Sequence, residues 1–243
     1  MPRLFHVSDI HFGAEDPQAV AWFGDRVRDE RPDAVIVTGD LTMRARHDEY
    51  AAACRWLEGL ARPVTVEVGN HDLPMFNPFA RFFQPYARYS RMAALVERPI
   101  EVKGVAVVPL RTTARFQWRM DWSKGHVSRA QLGRTVAEVG KVAAGGFTIV
   151  ACHHPLIEAG TSSSADTRGG ARAIEALATA GVRAVLSGHV HDPFELAHPA
   201  GEGTIRLIGA GTLSARVRDT PPSFNELRID GDRLEVMVRA MPD

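Results

Sequence analysis

Residues 184–194 read AVLSGHVHDPF: an apolar run from Ala184 to Leu186 ends in Ser187-Gly188 and is followed at once by His189 and His191. A short apolar run bounded by glycine has the pattern of a buried strand. Two imidazoles directly beyond it ask for a shared purpose. The same arrangement recurs along the chain. Residues 4–7 lead into Asp9 and His11, residues 34–37 into Gly39-Asp40, residues 64–68 into Gly69-Asn70-His71-Asp72, and residues 147–152 into His153 and His154. Five strand ends thus carry metal-competent donors. Alternate residues of extended backbone point the same way, so Asp9 with His11, and His189 with His191, are expected to reach one site from one stretch each. Gly39, Gly69 and Gly188 suit sharp exits, because glycine tolerates backbone angles that other residues avoid.

Helical patterns fall between these runs, at residues 17–30, 48–60, 128–142 and 170–180, the third opened by the capping pair Ser128 and Gln131. The alternation at the start of the chain implies parallel pairing. The carboxyl ends of parallel strands converge on one crevice, where ligands sit. IEVKGVAVVPL, residues 100–110, reads as a hairpin around Lys103-Gly104. The tail, TIRLIGAG, FNELRID and RLEVMVRAM, reads as antiparallel strands with a turn at Asp230-Gly231. The expected architecture is two sheets packed in one domain over residues 1–243, with helices outside and a helical aromatic insertion at 74–98.

In that insertion Asn77-Pro78 can start a helix, Phe79, Phe82, Phe83 and Tyr86 fall on one face, and Pro85 is expected to kink or end it. The favoured expectation is that this face is buried against the body. The alternative is a lid or dimer contact bringing Arg81 or Arg88 toward a substrate. Residues 112–122, TTARFQWRMDW, and the loop 158–169 with Thr161, Ser162, Ser163 and Arg168 are further candidates for contact with an ester group.

Bulk composition excludes several classes. The chain has 243 residues, 45% hydrophobic and 24% charged, and 29 Lys plus Arg balance 29 Asp plus Glu. No long-range field favours DNA, RNA or an anionic membrane, so strong nucleic-acid binding is not expected. No apolar run approaches the roughly 18 residues needed to span a bilayer. Cys54 and Cys152 have no metal-binding or disulfide spacing and read as reduced core residues. No leader pattern opens the chain, and the expected location is cytoplasmic.

Taken singly, Asp-x-His could be a turn, Gly-Asp a loop start and Asn-His-Asp a helix cap. The ordered set is another matter. Asp9-Ile-His11, Gly39-Asp40, Gly69-Asn70-His71-Asp72, His153-His154-Pro155 and Gly188-His189-Val190-His191 together resemble the calcineurin-like metallophosphoesterase superfamily across residues 4–191. Within it the chain is most similar to class III cyclic nucleotide phosphodiesterases and related small phosphodiesterases. The resemblance implies an α/β fold, a four-layer α/β/β/α sandwich of two mixed β-sheets flanked by helices.

It also implies two divalent metal ions. One is assigned to Asp9, His11 and His191, the other to Asn70, His153 and His189, with Asp40 bridging both. His153 is preferred to His154 by the family's His-x-Pro spacing. A metal-bridging hydroxide would attack phosphorus, and His71 would protonate the leaving oxygen or steady the phosphoryl charge. Nitrogen and oxygen donors without thiolate suit manganese, iron or zinc alike. The expected substrate is a small, cyclic nucleotide-like phosphodiester. The alternatives are a pyrophosphohydrolase of a nucleotide-sugar or lipid-linked substrate, or a non-catalytic interaction module on the same fold. Leu73-Pro74 departs from the cyclic nucleotide enzymes, which often carry an arginine soon after the GNHD block. A homo-oligomer is left open.

Overall fold

The first strands need little help from context, since β-branched and aromatic residues dominate them. β1 (Arg3–Val7), β2 (Ala34–Val37) and β3 (Val64–Val66) are linked by α1 (Pro17–Glu30) and α2 (His47–Gly59). Asp16 caps α1 by accepting from the backbone N–H groups of Gln18 and Ala19, and Pro17 occupies its first turn. The computed structural model describes every residue except 119, 120, 144, 202, 219 and 243. After β3 come α3 (Pro78–Phe83), α4 (Ala87–Val96), β4 (Val105–Pro109), α5 (Arg129–Val139), β5 (Phe147–Ala151), α6 (Gly170–Thr179) and β6 (Ala184–Ser187). The chain finishes in β7 (Phe194–Ala200), β8 (Gly203–Gly209), β9 (Ser223–Asp230) and β10 (Arg233–Ala240).

Two five-stranded sheets result, ordered β10-β9-β1-β2-β3 and β4-β5-β6-β8-β7. Strand alternation explains how both faces of each sheet are covered. Phe5, Val7, Val35, Val37, Val64 and Val66 pack outward with Phe23, Val27, Ala53, Leu57 and Met92 of α1, α2 and α4. Their neighbours Leu4, Ala34 and Ile36 turn inward to meet Ile149, Ala151, Ala184 and Leu186 of the second sheet. Val150, Cys152 and Val185 face outward again, onto Leu132, Val139, Ile174 and Leu177 of α5 and α6. This is the four-layer α/β/β/α sandwich of two mixed sheets.

Three sequence readings are corrected. Residues before Lys103-Gly104 form no strand, and β4 pairs only with β5, in parallel, so the expected hairpin is a turn leading into β4. The tail is not wholly antiparallel, because β8 runs parallel to β6. β7, missed by pattern, pairs antiparallel with β8; its alternating exposed and half-buried residues carry a proline and give no apolar run to read. The last turn is displaced by one position, since Asp230 pairs with Arg233 and leaves Gly231-Asp232 as the loop. The capping pair Ser128 and Gln131 stands as read, with Gln131 N donating to Ser128 Oγ (3.2 Å) and Ser128 N to Gln131 Oε1 (3.0 Å).

Candidate metal centre

β1, β2 and β3 run parallel, as do β5 and β6, so their carboxyl ends release Asp9, His11, Asp40, Asn70, His71, His153, His189 and His191 toward one crevice. The local geometry differs from the extended backbone expected. Asp9 (φ 55°), His11 (φ 53°), Asp40 (φ 51°), His189 (φ 72°) and His191 (φ 63°) all lie in the left-handed region. Such residues cost roughly 1–3 kcal/mol each and persist only where their surroundings hold them. Here cross-loop hydrogen bonds do so: Asp9 N donates to Gly39 O (3.1 Å), His11 N to Asp40 O (2.9 Å), His71 N to Asp40 Oδ1 (2.8 Å) and His189 N to Asp9 Oδ2 (2.8 Å). The convergence comes from strained turns, not from strand alternation.

The glycines also act differently from one another. Gly39 has φ 93° and uses its conformational freedom. Gly69 and Gly188 supply room: a Cβ on Gly69 would sit 2.1 Å from Asp40 Oδ1, and one on Gly188 would sit 1.8 Å from Ser8 Oγ.

Two donor sets meet in the crevice. Asp9 Oδ1 lies 3.2 Å from His191 Nε2 and 3.6 Å from His11 Nε2. Asp40 Oδ2 lies 3.4 Å from His153 Nε2 and 3.8 Å from His11 Nε2, between the sets. Asn70 Oδ1 is 3.1 Å from His153 Nε2. His189 groups with His153, and their rings stand 5.2 Å apart. His154 groups with them too, but its Nε2–H donates to Ser123 O (2.7 Å) and its Nδ1 accepts from Thr112 Oγ1 (2.8 Å), so both nitrogens are engaged.

These residues fit a pair of cations. His153 Nδ1 donates to Thr38 O (2.7 Å) and His191 Nδ1 to Arg216 O (2.8 Å), which fixes each ring with its Nε2 lone pair turned inward. His11 Nε2 and His191 Nε2 face each other at 3.2 Å, a contact that needs a proton or a cation between two nitrogen lone pairs. Asp9 Oδ1 is buried and, among the described residues, has no hydrogen-bond partner. A buried carboxylate oxygen of that kind is costly unless something positive meets it.

The titration of the cluster has matching causes. Burial raises the Asp9 and Asp40 carboxyls, but the imidazoles around them outweigh it and hold both well below the usual carboxylate range. Burial lowers His153, yet Asp40 beside it prevails and lifts it to about 9. Burial and the neighbouring His153 push His189 down to about 3.

Other residues have more ordinary tasks. Asp72 neither orients His71 nor starts a helix. Its carboxylate accepts from Gly69 N (2.9 Å), Leu41 N (3.3 Å), Thr42 N (2.9 Å) and Thr42 Oγ1 (2.9 Å), clamping the loops after β2 and β3 together. Burial, with Asp40 nearby, raises it to about 6. His6 is internal, its Nε2 on Thr38 Oγ1 (3.0 Å) and its Nδ1 accepting from Asn225 Nδ2 (3.2 Å). Cys152 is buried and Cys54 partly so, both free thiols.

The aromatic insertion overturns an expectation. Phe79, Phe82 and Phe83 are 72%, 40% and 70% exposed, whereas Arg81 is buried. The helix turns Arg81 inward because its guanidinium donates to the carbonyls of Arg115 (Nε, 3.0 Å) and Ala114 (Nη2, 3.2 Å), and the rings are left outside. Arg88 instead donates to Ala45 O. Of the segment 112–122, Arg119 and Met120 lie outside the described residues, while Trp122 joins Asn70, His71, Pro74, Met75, Arg81 and Ser123 around a pocket of about 130 Å³. In the loop 158–169, Ser162 Oγ donates to Asp192 Oδ2 (2.8 Å).

Arg216 escaped the sequence reading. Its carbonyl orients His191, and its Nη1 lies 3.4 Å from His71 Nε2. It lies seven residues past the end of β8 and is not a metal-competent donor, so reading the strand ends gave no signal for it.

Comparison with known proteins bears on the family and the fold. A probable cyclic nucleotide phosphodiesterase of Rhodococcus erythropolis is 28% identical over 204 residues, 77% of this chain and 64% of the relative. A cAMP/cGMP dual specificity phosphodiesterase of Mycobacterium tuberculosis is 27% identical over 209 residues, 77% of this chain and 61% of the relative. The matched region thus spans less than two thirds of the length of either relative. The crystal structure of a dimetal phosphatase from Danio rerio superposes with TM-score 0.68 at 14% identity, covering 98% of this chain and 96% of that one. Among the described residues no helix is long and apolar enough to cross a membrane. The family model described as calcineurin-like phosphoesterase matches residues 2–193, and the chain belongs to that family.

Proposed function

We propose that the protein is a dinuclear metal-dependent phosphodiesterase acting on small phosphodiesters. Asp9, His11 and His191 would hold one divalent cation and Asn70, His153 and His189 the other, with Asp40 shared. The observation that carries the reading is the unsatisfied Asp9 Oδ1 beside two facing imidazole nitrogens, at a crevice that opens on the pocket of Asn70 and His71. When bound, such cations lower the pKa of water and draw charge from a phosphoryl group.

The chain's own residues supply the rest. His71 Nδ1 donates to Met43 O (2.8 Å), so Nε2 is the atom left to carry a proton to the leaving oxygen. Arg216 Nη1 lies 3.4 Å from that atom and, being a donor, faces its lone pair in this structure; with His71 protonated the guanidinium would turn to the phosphoryl oxygens, where it adds fixed positive charge. The relatives named as cyclic nucleotide phosphodiesterases support the ester class.

The test is hydrolysis of bis-p-nitrophenyl phosphate by manganese-loaded protein. His71→Ala should lower kcat by about 10²- to 10⁴-fold while metal content, measured by mass spectrometry, stays at the wild-type level. Asn70→Ala should lower both. Wild-type turnover in the two variants would remove the assignment.

A further inference from the structure

Arg81 is unlike the other described arginines. It is 7% exposed and lies on a short helix whose aromatic residues face water, and among the described residues no carboxylate pairs with it. A buried cation without a counter-charge is expensive. Two of its donors, Nε and Nη2, are taken by the carbonyls of Arg115 and Ala114. A guanidinium has five N–H donors in a planar fork, so three remain. The guanidinium carbon stands 5.8 Å from the Trp122 ring centroid, and both side chains line the same small pocket as Asn70 and His71.

That pocket joins the proposed proton donor to an unpaired cation. Whatever ester group rests beside His71 must meet Arg81 within about 130 Å³, between the apolar walls of Pro74, Met75 and Trp122. The guanidinium fork matches carboxylate and phosphate. An uncharged ester group would leave it unmet. We infer that Arg81 forms an anion subsite for the ester group beside His71, and that the preferred substrate is a diester whose leaving side carries its own negative charge. This rests on the phosphodiesterase reading above. It also narrows it, because a 3′,5′-cyclic nucleotide carries its charge on the reacting phosphate alone.

The experiment compares kcat/KM of wild type and Arg81→Gln, with manganese, on three probes. Bis-p-nitrophenyl phosphate has uncharged ester groups, bis(4-carboxyphenyl) phosphate carries carboxylates, and UDP-glucose presents a phosphate on the leaving side. The expected loss is roughly 10- to 100-fold larger on one or both charged probes than on the uncharged one, the size of a lost hydrogen bond to a charged group, and it resides in KM. Whichever probe suffers identifies carboxylate or phosphate as the preferred anion. Arg81→Lys keeps the charge and should restore part of the ratio; it carries the same comparison should the glutamine variant not fold. Equal losses on all three probes, or none, overturn the subsite while leaving the phosphodiesterase intact. A wild type inert on every probe removes both.

Discussion

Two groups of carboxylates in this molecule, one around Glu226 and one of Asp9 with Asp40, are completed differently. Glu226, its side chain wholly buried on β9, accepts from Arg3 Nε (2.7 Å), Arg228 Nε (2.8 Å) and Arg239 Nη1 (2.5 Å). Glu30, at the end of α1, joins the same network through Arg239 Nη2 (3.0 Å) and Arg3. Every charge there has its opposite within the chain. Asp9 and Asp40 are as deeply buried, yet among the described residues neither has an arginine or lysine partner, only imidazoles. The first group is closed by the polypeptide. The second faces imidazoles alone, which balance it only while they hold protons, as His153 does once Asp40 has lifted it to about 9; arginine closes the first group at any pH, and that asymmetry is the one a ligand site of the kind proposed would show.

Substitutions should split along the same line. Asp40→Asn removes the carboxylate that both donor sets share, and turnover of bis-p-nitrophenyl phosphate should fall at least ~100-fold, beyond the effect of losing an outer partner of a metal ligand. In wild type, metal at about a hundred times its Kd should stabilise the fold by about 2.7 kcal/mol, and a chelator should reverse it. Calorimetry with and without metal reads the difference. In Asp40→Asn that metal-dependent gain should shrink, and a full gain would mean that Asp40 holds no ion.

Glu226→Gln is the mirror image. Turnover and the metal-dependent gain should persist, while stability falls by about 1–3 kcal/mol, trimmed because the arginines stay partly in water. The pH dependence has a definite sign. Burial raises the Glu226 carboxyl, but Arg3, Arg228 and Arg239 win and hold it at about 2, below its ordinary 4.5. A carboxyl depressed on folding stabilises at pH above the unfolded value, and the contribution drains away as pH falls toward 2. Denaturant titrations from pH 6 to 2.5 should therefore show a shallower acid loss in Glu226→Gln. Parallel curves would dissolve the distinction between the two groups.

The clustering of the candidate donors was legible because each sits one to five residues past an apolar run, a pattern that survives without coordinates. Asp40 after residues 34–37 and His153 after residues 147–152 needed only strand recognition and the rule that parallel strands share an open end. The left-handed turns were not legible, since aspartate and histidine, though commoner at positive φ than most residues, sit there only in a small minority of cases. Gly69 and Gly188 were noticed for the wrong reason: crowding by Asp40 and Ser8 is a long-range fact. Arg216 stayed hidden because it is no metal donor and lies seven residues past the end of its strand. Arg81 was named as a candidate, but amphipathic spacing predicted buried rings and could not foresee that a guanidinium seeking two carbonyls would claim the inner face.

The exposed rings provide the smallest test. Phe79 is 72% exposed and touches chiefly Phe83, with ring centroids 4.6 Å apart. A side chain already in water gives up little when it is cut back, so Phe79→Ser should change unfolding free energy by no more than about 0.5 kcal/mol. The neighbouring Arg81 is held by backbone carbonyls and not by this ring, so the pocket beside His71 should survive with it. Denaturant unfolding and turnover of bis-p-nitrophenyl phosphate in this variant read both points. A loss above about 1.5 kcal/mol, the scale at which a buried aliphatic is felt, would mean that the aromatic face packs in solution. The inward turn of Arg81 would then need another cause.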